Sequence, residues 1–85
     1  MNPRQVKIRR ALLLALDAIP AGLLLPDDML RAEAARLVVP RPNVTELDQQ
    51  LLEAERTRQM TGVYTDEGTK WKLADAGRAW LAEHP

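Results

Sequence analysis

Apolar residues recur at helical spacing in three long stretches of this chain. Residues 3–19 carry the first stripe, with Asn2 as a cap, Pro3 at the first helical position and Pro20 as a stop. The stripe consists of Ile8, Leu12, Ala15, Leu16 and Ile19. This spacing predicts a first helix over residues 3–19.

Two further helical stretches are joined by a stiff, proline-containing connection. An Asp-Asp pair after Pro26 opens the second helix, which runs to about Val38, because acids in a first turn complement the helix dipole. The connection "VPRPN" then stops it. Asn43, with Glu46 three residues later, predicts a capping box at the start of a third helix over residues 44–59.

The period changes from helical to alternating near residue 62. The runs "GVYT" and "TKWKL" are rich in β-formers and flank "DEG", a turn signal, which predicts a hairpin over residues 62–73. We favour a three-residue loop with Gly68 in the left-handed region, which would pair Val63 with Trp71 and Tyr64 with Lys70. A two-residue loop of Glu-Gly would pair Tyr64 with Trp71 instead.

Alternation in the favoured register assigns the two faces of the hairpin. Trp71 and Leu73 would point to the core, and the outward side chains would be Lys70, Lys72 and Tyr64. Two short elements complete the chain: a strand at "GLLL", residues 22–25, and a last helix over residues 76–83 that Asp75 caps. The whole chain, residues 1–85, is expected to form one domain.

Composition leaves only lysines and carboxylates for acid–base or nucleophilic catalysis. Cys and Ser are absent and the only histidine is His84, so no Ser or Cys nucleophile can pair with a His base. The neighbouring carboxylates Asp27 and Asp28 diverge on a helix and do not converge on a metal. We therefore expect no catalytic activity, no metal and no cofactor.

The N-terminal stretch resembles the start of a signal peptide but does not meet its length. Basic residues precede "ALLLAL", and Asp17 interrupts the apolar run after about six residues, against roughly 7–15 in a secretory signal. No stretch approaches the roughly 20 apolar residues of a membrane span. The absence of Cys also fits an intracellular protein, so a cytoplasmic location without a membrane partner is expected.

The charges balance to a formal net charge of zero, so the chain is not a basic domain overall. The basic residues are nevertheless unevenly distributed along the chain, because no acidic residue precedes Asp17. The basic residues before it are Arg4, Lys7, Arg9 and Arg10. Helical spacing favours a solvated face beside the apolar stripe for this cluster.

The element order is helix, short strand, helix, turn, helix, hairpin and helix. Together with the stretch "VTELDQQLLEAERTRQMTGVYT…KWKLADAGRAWLAE", it resembles the winged helix-turn-helix superfamily over almost the whole chain. Many bacterial and phage regulators of that superfamily end the wing in a Leu-Thr-Asp-x-Gly-Arg run, where this chain has Ala74 in place of Thr. The resemblance implies a mainly α fold with a small β-hairpin: a three-helix core, a wing and a short C-terminal helix.

The resemblance also implies binding to double-stranded DNA, with the third helix in the major groove and the wing on the backbone or minor groove. Glutamine amides suit adenine edges, and cations suit phosphates. The residues that would make these contacts in a bacterial or phage transcriptional regulator are Arg41, Thr45, Gln49, Gln50, Arg56, Lys70 and Lys72. Two exposed glutamines are also common as plain surface residues.

Acidic residues oppose this interpretation and leave an alternative open. Glu46, Asp48 and Glu53 share the third helix with the candidate DNA contacts, and two more acids lie at the wing tip. Leu13 and Leu14 widen the first helix's apolar stripe, which indicates burial on two sides or a partner helix. The alternative function is therefore a protein-interaction or assembly module that dimerises through these two leucines.

Overall fold

The computed structural model describes all 85 residues as four helices and a three-stranded antiparallel sheet. The elements are α1 (Pro3–Asp17), β1 (Leu25–Pro26), α2 (Asp27–Arg36), α3 (Val44–Arg56), β2 (Met60–Thr65), β3 (Gly68–Leu73) and α4 (Asp75–Glu83). β3 lies between β1 and β2 in the sheet. The prediction of a mainly helical chain with a small β-hairpin is confirmed. None of the helices is long and apolar enough to span a membrane.

The helix starts follow the capping signals in the sequence. The Asn2 side chain accepts the Gln5 N–H at 2.8 Å, and the Gln5 side chain accepts the Asn2 N–H at 3.0 Å. Asn43 and Glu46 form the same reciprocal box at the start of α3, as predicted. Both boxes satisfy backbone donors that a helix start leaves free, so these two starts are fixed by local sequence.

The start of α4 differs from its prediction. Asp75 is the first helical residue rather than the cap, and Ala74 occupies the cap position without a side-chain hydrogen bond. The Ala74 N–H instead donates to the Gln59 carbonyl at 3.0 Å. A Cβ on Gly77 would lie 2.2 Å from that same carbonyl oxygen, so only glycine allows α4 to come this close.

One core of 16 buried residues joins all the helices except α4, whose apolar side chains pack on it from outside. α1 lies at its centre, since it contacts α2, α3, α4 and β3. Leu13 is 0% exposed and Leu14 is half-buried, so the prediction of Leu13 as an interface anchor is wrong. The wide apolar face of α1 is covered by the chain's own elements, which is the burial on two sides that its width indicated.

The hairpin turn is tighter than predicted. Thr65 lies opposite Gly68, so the loop has two residues, Asp66 and Glu67, and neither predicted register is correct. The Thr65 hydroxyl donates to the Gly68 carbonyl at 2.7 Å and accepts the Glu67 N–H at 3.2 Å, which closes the turn. Gly68 has a φ of 110°, as its predicted left-handed conformation requires.

The shift of one residue from the favoured register reverses the face of Tyr64. Trp71 is buried on the core side as predicted, but Tyr64 also lies on that side, opposite Thr69. Its hydroxyl donates to the Glu55 carboxylate on α3 at 2.5 Å. The prediction that Tyr64 points outward beside Lys70 is therefore wrong, and the residue ties the hairpin to α3.

Candidate nucleic-acid interface

α3 separates a buried face from an exposed face. Its buried residues are Leu47, Gln50, Leu51 and Ala54. Thr45, Gln49 and Arg56 are exposed, and their helical spacing places them on one side of the helix, opposite the core. Leu52 is 66% exposed on that side as well. Three of the predicted DNA contacts thus share one accessible surface.

Gln50 is a correction to the predicted contact set. It is 2% exposed, and its side-chain oxygen accepts a hydrogen bond from Arg9 Nε at 2.9 Å. Adjacent helical residues point about 100° apart, so Gln49 can face solvent while Gln50 faces α1. Gln50 cannot reach a base edge, and its role lies inside the protein.

The sequence interpretation also missed the burial of Arg9. It is 4% exposed, and its guanidinium donates to Gln50 at 2.9 Å and to Gln59 at 2.8 Å. Burial lowers the pKa of Arg9, and the charge of Glu53 partly offsets that effect. Arg9 precedes Leu13 by four residues, which is the spacing that would have placed it on the buried side of α1.

This network joins three elements through neutral partners. No carboxylate lies within 4.0 Å of the Arg9 guanidinium, and its hydrogen bonds are accepted by two side-chain amide oxygens. An arginine buried in this way loses hydration that the amides only partly replace. Its effect is to hold α3, through Gln50, and the segment before β2, through Gln59, against α1.

The carboxylates of α3 that opposed DNA binding all have partners within the chain. The pairs are Arg4–Glu46 (2.6 Å), Arg31–Asp48 (2.7 Å), Arg56–Glu53 (2.7 Å) and the Tyr64 hydroxyl with Glu55 (2.5 Å). The hydrogen bond from Arg4 lowers the pKa of Glu46, and that from Arg56 lowers the pKa of Glu53. The three ion pairs are individually weak, but they place a positive charge beside three of the four carboxylates of the helix, whereas the neutral Tyr64 hydroxyl leaves the charge of Glu55 in place.

α2 contributes a second set of links. Asp27 accepts the Trp71 indole N–H at 2.8 Å on one oxygen and Arg31 at 2.8 Å on the other. Arg31 also reaches Asp48 on α3 at 2.7 Å. Asp27 therefore does more than complement the dipole of α2, because it connects that helix to the sheet and, through Arg31, to α3.

The remaining predicted contacts fall in two places. Arg41 is exposed in the connection before α3, and Lys70 is half-buried opposite Val63 on the outer face of the hairpin. Lys72 lies opposite Thr61 at the base of the hairpin. It also lines a groove whose walls include no residue of α3.

The lowered pKa of Glu46 predicts that this residue contributes to stability at neutral pH and not in acid. Its pKa is lowered in the folded chain, so its contribution is present above the ordinary glutamate pKa of about 4.3 and is lost as pH falls through the folded value. We expect the melting temperature of Glu46→Gln to lie below that of the wild type at pH 7, with the difference shrinking below about pH 4. Glu67→Gln, which changes a loop carboxylate without a bonded partner, is the control; the same pH dependence there would contradict the role of Glu46.

Comparison with protein-family models, with curated proteins and with solved structures found no match. The chain also contains no group of three or more His, Cys, Asp or Glu side chains placed to hold a metal ion. Functional proposals for the chain therefore depend on its own geometry.

Proposed function

We propose that this chain is a winged helix-turn-helix module that binds double-stranded DNA and acts as a small transcriptional regulator of a bacterium or phage. The order of its elements and the hairpin that follows α3 support this assignment. α3 would enter the major groove, and the β2–β3 hairpin would serve as the wing. The major groove of B-DNA admits a helix of this kind.

The observation that carries the proposal is the exposed face of α3. Thr45, Gln49 and Arg56 point away from the core on one side of the helix. Three of the four carboxylates of α3 are paired with arginines of the chain, which lowers the repulsion that free acids would exert on phosphates. Gln49 is the group for base recognition, because its amide can donate and accept at the N7 and N6 of adenine.

Phosphate contacts would come from cations beside that face. Arg41 precedes α3, and Lys70 lies on the hairpin, and neither forms an ion pair within 4.0 Å. Arg56 is held by Glu53 in an exposed pair three residues apart, through its Nε and Nη2 atoms. A guanidinium has five N–H donors, so the Nη1 of Arg56 can meet a phosphate while the pair with Glu53 stays formed.

Fluorescence anisotropy with short DNA duplexes at low salt tests this interface. Lys70→Ala is expected to weaken binding to every sequence and to reduce the slope of log K against log salt by about 1, since one phosphate contact is lost. Gln49→Ala is expected to relax preference at one base pair, by about 1–3 kcal/mol.

Arg78→Ala provides the matched control, because it removes an exposed cation from α4 rather than from the proposed interface. An equal loss in that variant would show that only total charge matters. Failure of the wild type to bind duplex or single-stranded DNA at low salt would disprove the proposal.

A protein-interaction module is the second candidate. Leu13, which the sequence predicted as an anchor of such an interface, is buried in the core and cannot contact a partner. Exposed apolar side chains occur instead around the start of α3 and along it, namely Leu37 (53% exposed), Val39 (87%), Val44 (68%) and Leu52 (66%). Sedimentation of the chain as a dimer that shows no affinity for DNA would favour this candidate.

A further inference from the structure

A groove of about 670 Å³ lies between the end of α1, the base of the hairpin and the start of α4. Leu16, Ile19 and Leu23 give it an apolar wall, and Asp17 and Lys72 are among its charged residues. Small-molecule sites in proteins have volumes of about 300–1,000 Å³ and combine apolar walls with a few polar groups. The groove has the size of such a site, and its lining is about half apolar.

The apolar wall is held in place by the fold. Leu16 belongs to the core and is 2% exposed, and the loop that carries Leu23 is closed by a turn. In that turn the Leu23 N–H donates to the Pro20 carbonyl at 3.2 Å, and Gly22 has a φ of 89°. Glycine at this third turn position is what a type II turn requires. The groove is therefore formed before any ligand arrives.

Two charged residues of the groove pair with each other, and two others have no bonded partner. Arg78 and Asp75 pair with each other at 2.9 Å. Asp17 and Lys72 form no ion pair within 4.0 Å and no side-chain hydrogen bond. One carboxylate and one ammonium group without a bonded partner, both exposed to solvent, thus line the same groove.

We propose that this groove binds a short apolar peptide with both termini free, whose ammonium group meets Asp17 and whose carboxylate meets Lys72. A purely anionic ligand would face Asp17, and a purely cationic one would face Lys72, so a zwitterion fits the charges best. The apolar side chains of the peptide would lie against Ile19 and Leu23, behind which the buried Leu16 supports the wall. None of the lining residues belongs to α3 or to the connection before it, but Thr61, Lys72 and Leu73 belong to the hairpin proposed as the wing. The groove therefore shares the base of the wing and not the exposed face of α3.

Titration calorimetry with the dipeptide Leu-Leu, its N-acetyl form and its C-terminal amide tests both charge contacts. For the wild type, saturable binding is expected, and each blocked form should bind about tenfold more weakly, because one charge-assisted contact is lost. In Asp17→Asn, acetylation should no longer matter, while amidation still should. In Lys72→Gln the pattern should be reversed, which isolates each pairing as a double-mutant cycle does.

Lys7→Gln is the control, because it removes an exposed lysine of α1 outside the groove and should bind all three peptides as the wild type does. Absence of saturable binding of Leu-Leu at millimolar concentration would overturn the proposal. So would losses on blocking that are the same in all variants. DNA binding by Asp17→Asn at wild-type affinity, whatever the peptide result, would show that the two proposals stand or fall separately.

Discussion

Replacing Leu13 by alanine is expected to lower the free energy of unfolding by about 3–4 kcal/mol, within the range measured for buried Leu→Ala changes. Leu13 is 0% exposed at the centre of the core. The substitution removes apolar contacts and leaves a cavity. Four elements pack around α1, so the site has little freedom to collapse. Urea denaturation measures the loss as a lower midpoint at unchanged slope.

Leu14→Ala is the matched control for this prediction. Leu14 is the next residue on the same helix and is only half-buried, so a smaller loss of about 1 kcal/mol is expected. The stability loss in Leu13→Ala should not depend on protein concentration, because a monomer core is affected. A concentration-dependent loss would instead place Leu13 at an interface between chains.

Replacing Gly77 by alanine is expected to destabilise the fold by about 1–3 kcal/mol, as overpacking does. Within a helix the same change normally stabilises by up to about 1 kcal/mol, so the predicted sign is reversed. The added Cβ would lie 2.2 Å from the Gln59 carbonyl oxygen and 2.6 Å from a methyl group of Leu73. α4 would have to move away, which breaks the hydrogen bond from Ala74 to Gln59.

Ala79→Gly controls for helix propensity, since Ala79 is exposed on the same helix and its replacement should cost about 1 kcal/mol. Thermal unfolding of the two variants and the wild type gives the comparison. A higher melting temperature for Gly77→Ala than for the wild type would show that α4 does not approach the Gln59 carbonyl as closely as described.

Local signals in the sequence were enough to predict the order of elements and two of the helix starts. The Asn2 and Asn43 capping boxes depend on residues three apart, and both are present. The cap of α4 was mispredicted because a distant contact sets where the helix starts: the Ala74 N–H donates to the Gln59 carbonyl, and Gly77 lies against that same carbonyl. Local sequence predicts an element's terminus only when local groups satisfy its free donors.

The hairpin register was beyond sequence reasoning because more than one turn fits the sequence around Gly68. A residue with positive φ suits several loop lengths. The two-residue loop is the one that the Thr65 hydroxyl stabilises, because this hydroxyl bridges the loop. This choice sets the face of every hairpin residue. It explains why the orientation of Trp71 was predicted correctly and that of Tyr64 was not.

The candidate DNA surface was predicted only in part, for a related reason. Exposure of Thr45 and Gln49 follows from helical spacing, and so does the burial of Gln50 beside Leu47, but its partner Arg9 lies 41 residues earlier and could not be predicted. The compensation of the acids on α3 also depends on distant cations, such as Arg4 for Glu46. Side-chain pairs between elements leave no periodic trace in a sequence, so they became visible only in the folded chain.

The two polar links between α1 and α3 differ in their response to acid. Arg4 reaches α3 through the carboxylate of Glu46, whereas Arg9 reaches it through the amide of Gln50, which does not titrate. Falling pH therefore removes the charge of the first link and leaves the second unchanged. Arg4 keeps its hydrogen bond to the Pro40 carbonyl, so acid should weaken the contact at the start of α3 while the contact at its middle keeps its full strength.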